Sequence, residues 1–255
     1  MQRSTSSSEA DVGHDVEDLT RLAVQQRQKI IEDLVQLRRN DFAYLKALHM
    51  DPRQSYFLNV ALLNESQLNL TSVLLPDSLT RRCHQLYYLG LSLGKLLESP
   101  NSAHLAIEGC QLMEELDFYF LPTTMQNMKL VVAPKSTLYE RPADPIGTKD
   151  VTEPQRAVLS KWNQKPVYRR LLTPHISFPL DYCQLLVSVC EVLPLVYAKL
   201  LEDACSHNPF VFQSALRFDE KVKKLVLDAP SKQLATISAD IIKTELAGLR
   251  GHKQM

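Results

Sequence analysis

The pentapeptide GLSLG at residues 90–94 is the sharpest chemical motif in the sequence. It fits the G-x-S-x-G pattern of the nucleophile elbow, in which a strained turn between a strand and a helix exposes a serine hydroxyl for acyl transfer. Asp181 and His207 follow Ser92 in the order that such a triad requires. The flanking leucines also fit one face of a continuous helix, in which two glycines let neighbouring helices approach closely. We therefore expect Ser92 to be a helix-packing residue, with a serine hydrolase as the alternative.

The residue types that bind metal ions are present, but their spacing does not form a metal site. Cys205 and His207 could supply two ligands, yet no partner pair stands at zinc-finger spacing. Neither a Glu-x-x-His pair nor an HExxH motif occurs in the chain. We expect Cys183 and Cys190 to pack in the core, because free cysteine behaves as a small apolar residue. The sequence predicts no metal and no cofactor.

Basic and aromatic residues alternate between Lys161 and Arg170. Trp, Tyr and Arg dominate the binding energy of protein interfaces, and the same mixture stacks on bases and contacts phosphates in proteins that bind single-stranded nucleic acid. A chain with 29 basic and 29 acidic residues disfavours a nucleic-acid partner. The competing structural interpretation is that the tryptophan anchors a loop on the core. The candidate partner-binding residues are Trp162, Lys165, Tyr168, Arg169 and Arg170.

Two segments of opposite charge are separated in the sequence. Residues 98–117 contain five acidic residues and no lysine or arginine, whereas residues 129–170 contain nine basic and four acidic residues. The two patches could pair within the molecule and fix the basic segment on an acidic helix. They could instead be partner surfaces, and a solvated helix face is the commoner explanation of an acidic run. The sequence leaves these interpretations open.

Composition favours a helical fold. Only 7 of 255 residues are glycine, and doubly wound sheets and phosphate-binding loops need glycine where the backbone turns tightly. Apolar residues make up 45% of the chain, which is enough for a sizeable core. They recur at steps of three and four over most of its length. The predicted fold class is all-α, an irregular multi-helix bundle of about seven or eight helices.

The N-terminal pattern predicts one long helix and then shorter ones. No glycine or proline interrupts residues 15–50, and their apolar spacing follows one helical face. Prolines then divide the chain into intervals that each fit one helix and a turn. We expect these helices near residues 53–70, 78–98 and 102–120.

The C-terminal pattern predicts a central helix. Residues 134–179 hold half of the 14 prolines and form a crossing segment, with one short helix expected near 154–162. The following stretch, near 179–204, is the most apolar of the chain and has one narrow polar stripe that includes Glu191, so most of its circumference should be buried. Two amphipathic helices are expected near 209–227 and 231–248, separated by Pro230.

These patterns divide the chain into five segments. They are a disordered Ser-rich tail at 1–14, an N-terminal helical half at 15–133, a proline-rich crossing segment at 134–178, a C-terminal helical half packed on the first at 179–249, and a polar tail at 250–255.

The sequence favours an intracellular protein. The first residues lack the apolar core of a signal peptide, and five scattered cysteines without a CxxC pair are typical of reduced thiols. Charged residues interrupt the apolar stretch at 180–201, so no transmembrane segment is expected. We expect the protein in the cytoplasm, with the nucleus as the alternative. The predicted function is a non-enzymatic scaffold or adaptor subunit that binds other protein subunits.

Overall fold

The computed structural model describes residues 8–50, 56–132, 151–163, 165–202 and 204–251. Most of these residues are helical, which confirms the all-α fold class. The helices are α1 (Ser8–Met50), α2 (Glu65–Leu68), α3 (Pro76–Leu96), α4 (Ser102–Tyr119), α5 (Thr123–Val132), α6 (Tyr182–Lys199), α7 (Ala204–His207), α8 (Pro209–Val222), a π-helix (Lys223–Asp228) and α9 (Ala229–Gly251). Two antiparallel hairpins complete the described part, β1 (Tyr56–Phe57) with β2 (Ala61–Leu62) and β3 (Ser160–Trp162) with β4 (Lys165–Val167).

The core lies around α6. This helix packs between α1 and α3, while α4 packs on α8. Leu186 and Leu193 are fully buried, whereas Glu191 faces outward and pairs with Lys46 of α1 at 2.8 Å. The predicted faces of the central helix are therefore confirmed. By length and composition, α6 would also fit a membrane span, but here its apolar side fills the interface with its neighbouring helices.

A buried ion pair joins three helices. The guanidinium of Arg38 on α1 donates to both carboxylate oxygens of Asp219 on α8, at 2.7 and 3.0 Å. The hydroxyl of Tyr197 on α6 donates to the same carboxylate at 2.7 Å. A third bond runs from Arg38 to Asp41 at 2.7 Å. Burial raises the pKa of Tyr197 well above its usual value, so this hydroxyl keeps its proton and remains a donor.

The predicted helix near 53–70 is wrong. Residues 56–62 form the β1–β2 hairpin, and only the four residues of α2 are helical in the rest of that interval. Phe57, Ala61 and Leu63 point into the core, and the residues between them point outward. This alternation has the period of a strand, which disfavours a helix. Residues 51–55 lie outside the described part.

The crossing segment also differs from its prediction. Residues 154–159 are extended instead of helical, because the side chain of Gln111 on α4 bonds both backbone groups of Val158, at 2.8 and 2.9 Å. The β3–β4 hairpin follows directly. Upstream, α5 occupies an interval for which the sequence predicts no helix. Residues 133–150, the first part of this segment, lie outside the described residues.

Pro230 does not separate two helices. The π-helix connects α8 to α9 without a break, and Pro230 is the second residue of α9. A proline ring clashes with the carbonyl four residues earlier in a regular helix. That carbonyl belongs to Val226, which lies in the π-helix, where the wider turn changes the hydrogen-bond pattern.

The chain ends differ from the prediction as well. α1 begins at Ser8, within the predicted Ser-rich tail. At the other end α9 includes Arg250 and Gly251 of the predicted polar tail. Residues 1–7 and 252–255 lie outside the described part.

The buried ion pair yields a stability prediction. Arg38→Met should lower the free energy of unfolding by about 3–5 kcal/mol, because Asp219 then stays buried without its cation. The exposed neighbour Arg39 provides the control, since Arg39→Met should change that energy by less than about 0.5 kcal/mol. Urea unfolding of the three proteins measures both effects. Equal losses in the two variants would contradict a structural role for the pair.

Candidate functional site

The predicted partner-binding cluster divides into an exposed tip and an inward-facing part. The tip lies on the β3–β4 hairpin, where Trp162 pairs with Lys165 and both side chains are exposed. The ammonium of Lys161 donates hydrogen bonds to the carbonyls of Leu130 at 2.5 Å and Val131 at 3.0 Å. Both carbonyls lie in the last turn of α5. The hairpin is therefore fastened to the last turn of α5, with Trp162 one residue from the contact.

Tyr168 and Arg170 point into the molecule. The ring of Tyr168 packs on those of Tyr119 and Phe118, with centroids 5.8 and 6.4 Å away. Burial raises the pKa of its phenol to about 12. The Arg170 guanidinium donates to the buried carboxylate of Glu108 on α4. Two of the five candidate residues thus contribute to the fold, while the side chain of Arg169 is exposed.

The carboxylate of Glu115 on α4 fixes the backbone of residues 165–172, which we name the strap. Glu115 is fully buried. It accepts hydrogen bonds from the backbone N–H groups of Arg169, Arg170 and Leu171, at 2.8 to 2.9 Å. The amide of Gln111 donates a fourth at 2.7 Å. Several hydrogen bonds to one carboxylate compensate for the loss of its hydration.

One ion pair, between Arg170 and Glu108, joins the two charge patches within the molecule, and Glu115 binds the backbone of the basic segment. Glu108 and Glu115 are buried against the strap. Glu114 and Asp117 lie on another side of α4 and bind Lys221 of α8, at 3.0 and 2.6 Å. The acidic residues of α4 therefore bind the strap on one side of the helix and α8 on another, so they do not form a uniformly solvated surface.

Ser92 is a second anchor of the strap. It lies within the continuous helix α3, and its side chain is buried. Its hydroxyl oxygen accepts a hydrogen bond from the backbone N–H of Leu172 at 2.9 Å. Residues 86–96 are helical throughout, so the strand and strained turn that a nucleophile elbow needs are not formed there. Asp181, the acid that the hydrolase alternative uses, caps α6 by accepting from the Gln184 backbone at 2.7 Å.

The cysteine thiols do not resemble nucleophiles or ligands. All five are unpaired, and burial raises the pKa of Cys183 and Cys190 to about 12. Cys190 lies in the core and Cys183 packs against it, as the sequence predicts. Within the described ranges, no three His, Cys, Asp or Glu side chains come together in a way that could hold a metal ion.

Residues 56–62, which we name the apolar hairpin, form a surface that the sequence analysis missed. Five of its side chains are exposed, and all except Asn59 are apolar: Tyr56 by 50%, Leu58 by 65%, Val60 by 61% and Leu62 by 44%. Leu58 and Asn59 form its turn with positive φ angles of 50° and 58°. The sequence signal that could have identified it is a short run of apolar residues, YFLNVAL, with a single asparagine at its middle.

The sequence matches no known protein-family model, and neither a curated protein nor a solved structure matches the chain.

The strap yields a prediction with a proteolytic measurement. Glu115→Gln replaces one acceptor oxygen by an NH₂ group that faces N–H donors, and it should lower the free energy of unfolding by about 3 kcal/mol. Trypsin should then cleave faster after Arg169 and Arg170. Glu114→Gln is the matched control, because the half-exposed carboxylate of Glu114 forms an ion pair with Lys221 and does not bind the strap in the described structure. Unchanged cleavage in Glu115→Gln would mean that the carboxylate does not hold the strap.

Ser92→Ala should lower the free energy of unfolding by about 1–2 kcal/mol, because the N–H of Leu172 loses its acceptor. The wild-type protein should not react with a serine-directed phosphonate probe, since the Ser92 side chain is inaccessible. Urea unfolding and mass spectrometry of the probe-treated protein measure the two effects. Stoichiometric labelling that the alanine variant abolishes would support the hydrolase alternative.

Proposed function

We propose that the protein is a non-enzymatic helical adaptor subunit that binds a partner protein in an intracellular complex. The observation that carries this proposal is the apolar hairpin. Its four exposed apolar side chains lie within seven consecutive residues, and contiguous apolar surface on a folded protein is typical of interaction sites. The cytoplasm is the proposed location, with the nucleus as the alternative.

The backbone of the hairpin turn adds to this argument. A left-handed conformation costs a residue other than glycine about 1–2 kcal/mol, and a turn whose two central residues both have positive φ favours glycine, asparagine or aspartate there. Leucine therefore occupies the φ 50° position of the turn at a cost in stability. Strained backbone conformations cluster at functional sites, and here the strained residue is an exposed leucine.

The hairpin is also held in place before any partner arrives. The backbone N–H of Leu58 donates to the hydroxyl of Tyr44 on α1 at 2.8 Å, and Phe57 and Ala61 are buried in the core. A surface that is already ordered loses little conformational entropy on binding. The rigid position favours recognition of a complementary apolar face on another folded protein.

A second exposed surface supports a scaffold that contacts more than one partner. Trp162 and Lys165 lie at the β3–β4 tip, which Lys161 fastens to α5. On α5 itself, Met125, Met128 and Val131 recur at a spacing of three and are all exposed. Tryptophan and methionine are both enriched where proteins bind one another.

Fewer observations support the alternatives. A hydrolase that uses Ser92 would need a buried hydroxyl to reach its substrate. Among the five candidate residues, a nucleic-acid interface at residues 161–170 would have only Trp162, Lys165 and Arg169 available for binding. The ring of Tyr168 packs at the end of α4, and the side chain of Arg170 binds Glu108 of the same helix.

The proposal predicts that Leu58→Asn separates binding from stability. Asparagine tolerates the left-handed conformation, so the variant should melt at or above the wild-type temperature. In quantitative affinity purification, the variant should nevertheless fail to retain the partner protein that the wild-type chain retains. Calorimetry with the purified partner should show weaker binding by the variant than by the wild-type protein. The matched control is Leu37→Gln, which removes a leucine on α1 that is exposed by 52%.

Three results would contradict the proposal. One is a partner that the wild-type and Leu58→Asn proteins bind equally tightly as purified components. Another is an equal loss of binding in the Leu37→Gln control. The third is a Leu58→Asn protein that binds less only because it unfolds, which its melting curve would reveal.

A further inference from the structure

A large groove of the described structure lies beside α4 and the π-helix and encloses about 1,230 Å³. α3, α4, α5, α8 and α9 contribute to its walls, together with residues 155–159 of the crossing segment. Pockets for small molecules typically enclose about 300–1,000 Å³. This groove is larger and open, which favours a peptide segment over a compact metabolite.

The groove has an excess of positive charge. Seven basic and four acidic residues line it. Among the acidic ones, Glu114 and Asp117 both bind Lys221, and Asp228 binds Lys223. The remaining cations have no carboxylate within ion-pair distance in the described part of the chain; they are Arg82, Lys129, Arg156, Arg217, Lys224 and Lys232.

Arg82 is the most telling of these cations. It lies on α3 in a partly buried position, where burial lowers the pKa of its guanidinium. A desolvated cation without an anionic partner destabilises a fold. The titratable side chain that acts electrostatically on Arg82 is Tyr182, a phenol whose pKa is raised by burial. An anionic group in the groove would supply the partner that the described residues do not.

The π-helix is an independent observation at the same place. Lys224, Leu225 and Asp228 of this segment line the groove. A π-helical turn is rare and lies frequently at functional sites, since it is less stable than a regular helix. Lys232, on the first turn of α9 after the π-helix, also lines the groove.

We propose that this groove binds an acidic segment of a partner protein. Arg82, Lys224 and Lys232 would contact carboxylates, while Val158, Leu159 and Leu225 would contact apolar side chains of the same segment. The site is separate from the apolar hairpin, so the inference does not depend on the function proposed for that hairpin.

A synthetic peptide tests the proposal on the full chain. The probe is a fluorescein-labelled peptide of glutamates with leucine at every fourth position, measured by fluorescence anisotropy at low and physiological salt. The wild-type protein should bind it, and the double variant Arg82→Gln with Lys224→Gln should raise the Kd by about tenfold or more. Lys29→Gln, an exposed lysine of α1 outside the groove, should leave the Kd unchanged, as should Leu58→Asn.

A stability measurement adds a readout that needs no ligand. Arg82→Met removes the desolvated charge, so the melting temperature of the free protein should rise by a few degrees if Arg82 is kept for a ligand. A fall in melting temperature would assign Arg82 to the fold and overturn the proposal. The proposal would also be overturned if the wild-type protein did not bind the peptide, or if Lys29→Gln raised the Kd as much as the groove variant does. A third contradicting result is that inositol hexakisphosphate binds more tightly than the peptide and that the groove variants abolish this binding.

Discussion

The buried carboxylate of Glu115 is the constraint that orders the described part of the proline-rich crossing segment. Among the described residues no cationic side chain pairs with it, and its charge is compensated by three consecutive backbone N–H groups and one side-chain amide. Three donors can converge on one carboxylate only if the backbone of residues 169–171 adopts one particular path. Ser92 then fixes the next residue, and Arg170 pairs with Glu108. A proline-rich segment thereby becomes an ordered strap across the bundle.

The strap determines which surfaces remain for function. The β3–β4 hairpin extends from it, and Lys161 of that hairpin fastens the end of α5. Upstream, Gln111 clamps Val158, whose segment forms one wall of the basic groove. α4 therefore positions both the strap and the groove. The apolar hairpin lies elsewhere, beside α1, where the Arg38–Asp219 ion pair ties α1 to the core.

The spacing of apolar residues along the chain predicts most of the helices. It does not predict the segments whose conformation depends on contacts with residues far away in the sequence. Spacing of three and four identifies α1 and the buried faces of α6, because each signal lies within one helix. The β1–β2 hairpin is missed because six of the seven residues in YFLNVAL are apolar, so their pattern does not distinguish a strand from a helix. The bonds of Glu115 have no sequence signature, since every residue except proline carries the same backbone donor. The charge patches indicate that α4 and the strap could pair, but not which carboxylates are buried.

Native-state hydrogen exchange tests most directly whether Glu115 and Ser92 hold the strap as part of the core. In the wild-type protein, the amide protons of Arg169, Arg170, Leu171 and Leu172 should exchange as slowly as those in the middle of α6, because they are released only when the fold opens globally. Mass spectrometry or nuclear magnetic resonance resolves these positions. Exchange of the four amides at the rate of an open surface loop, with α6 protected, would contradict this account.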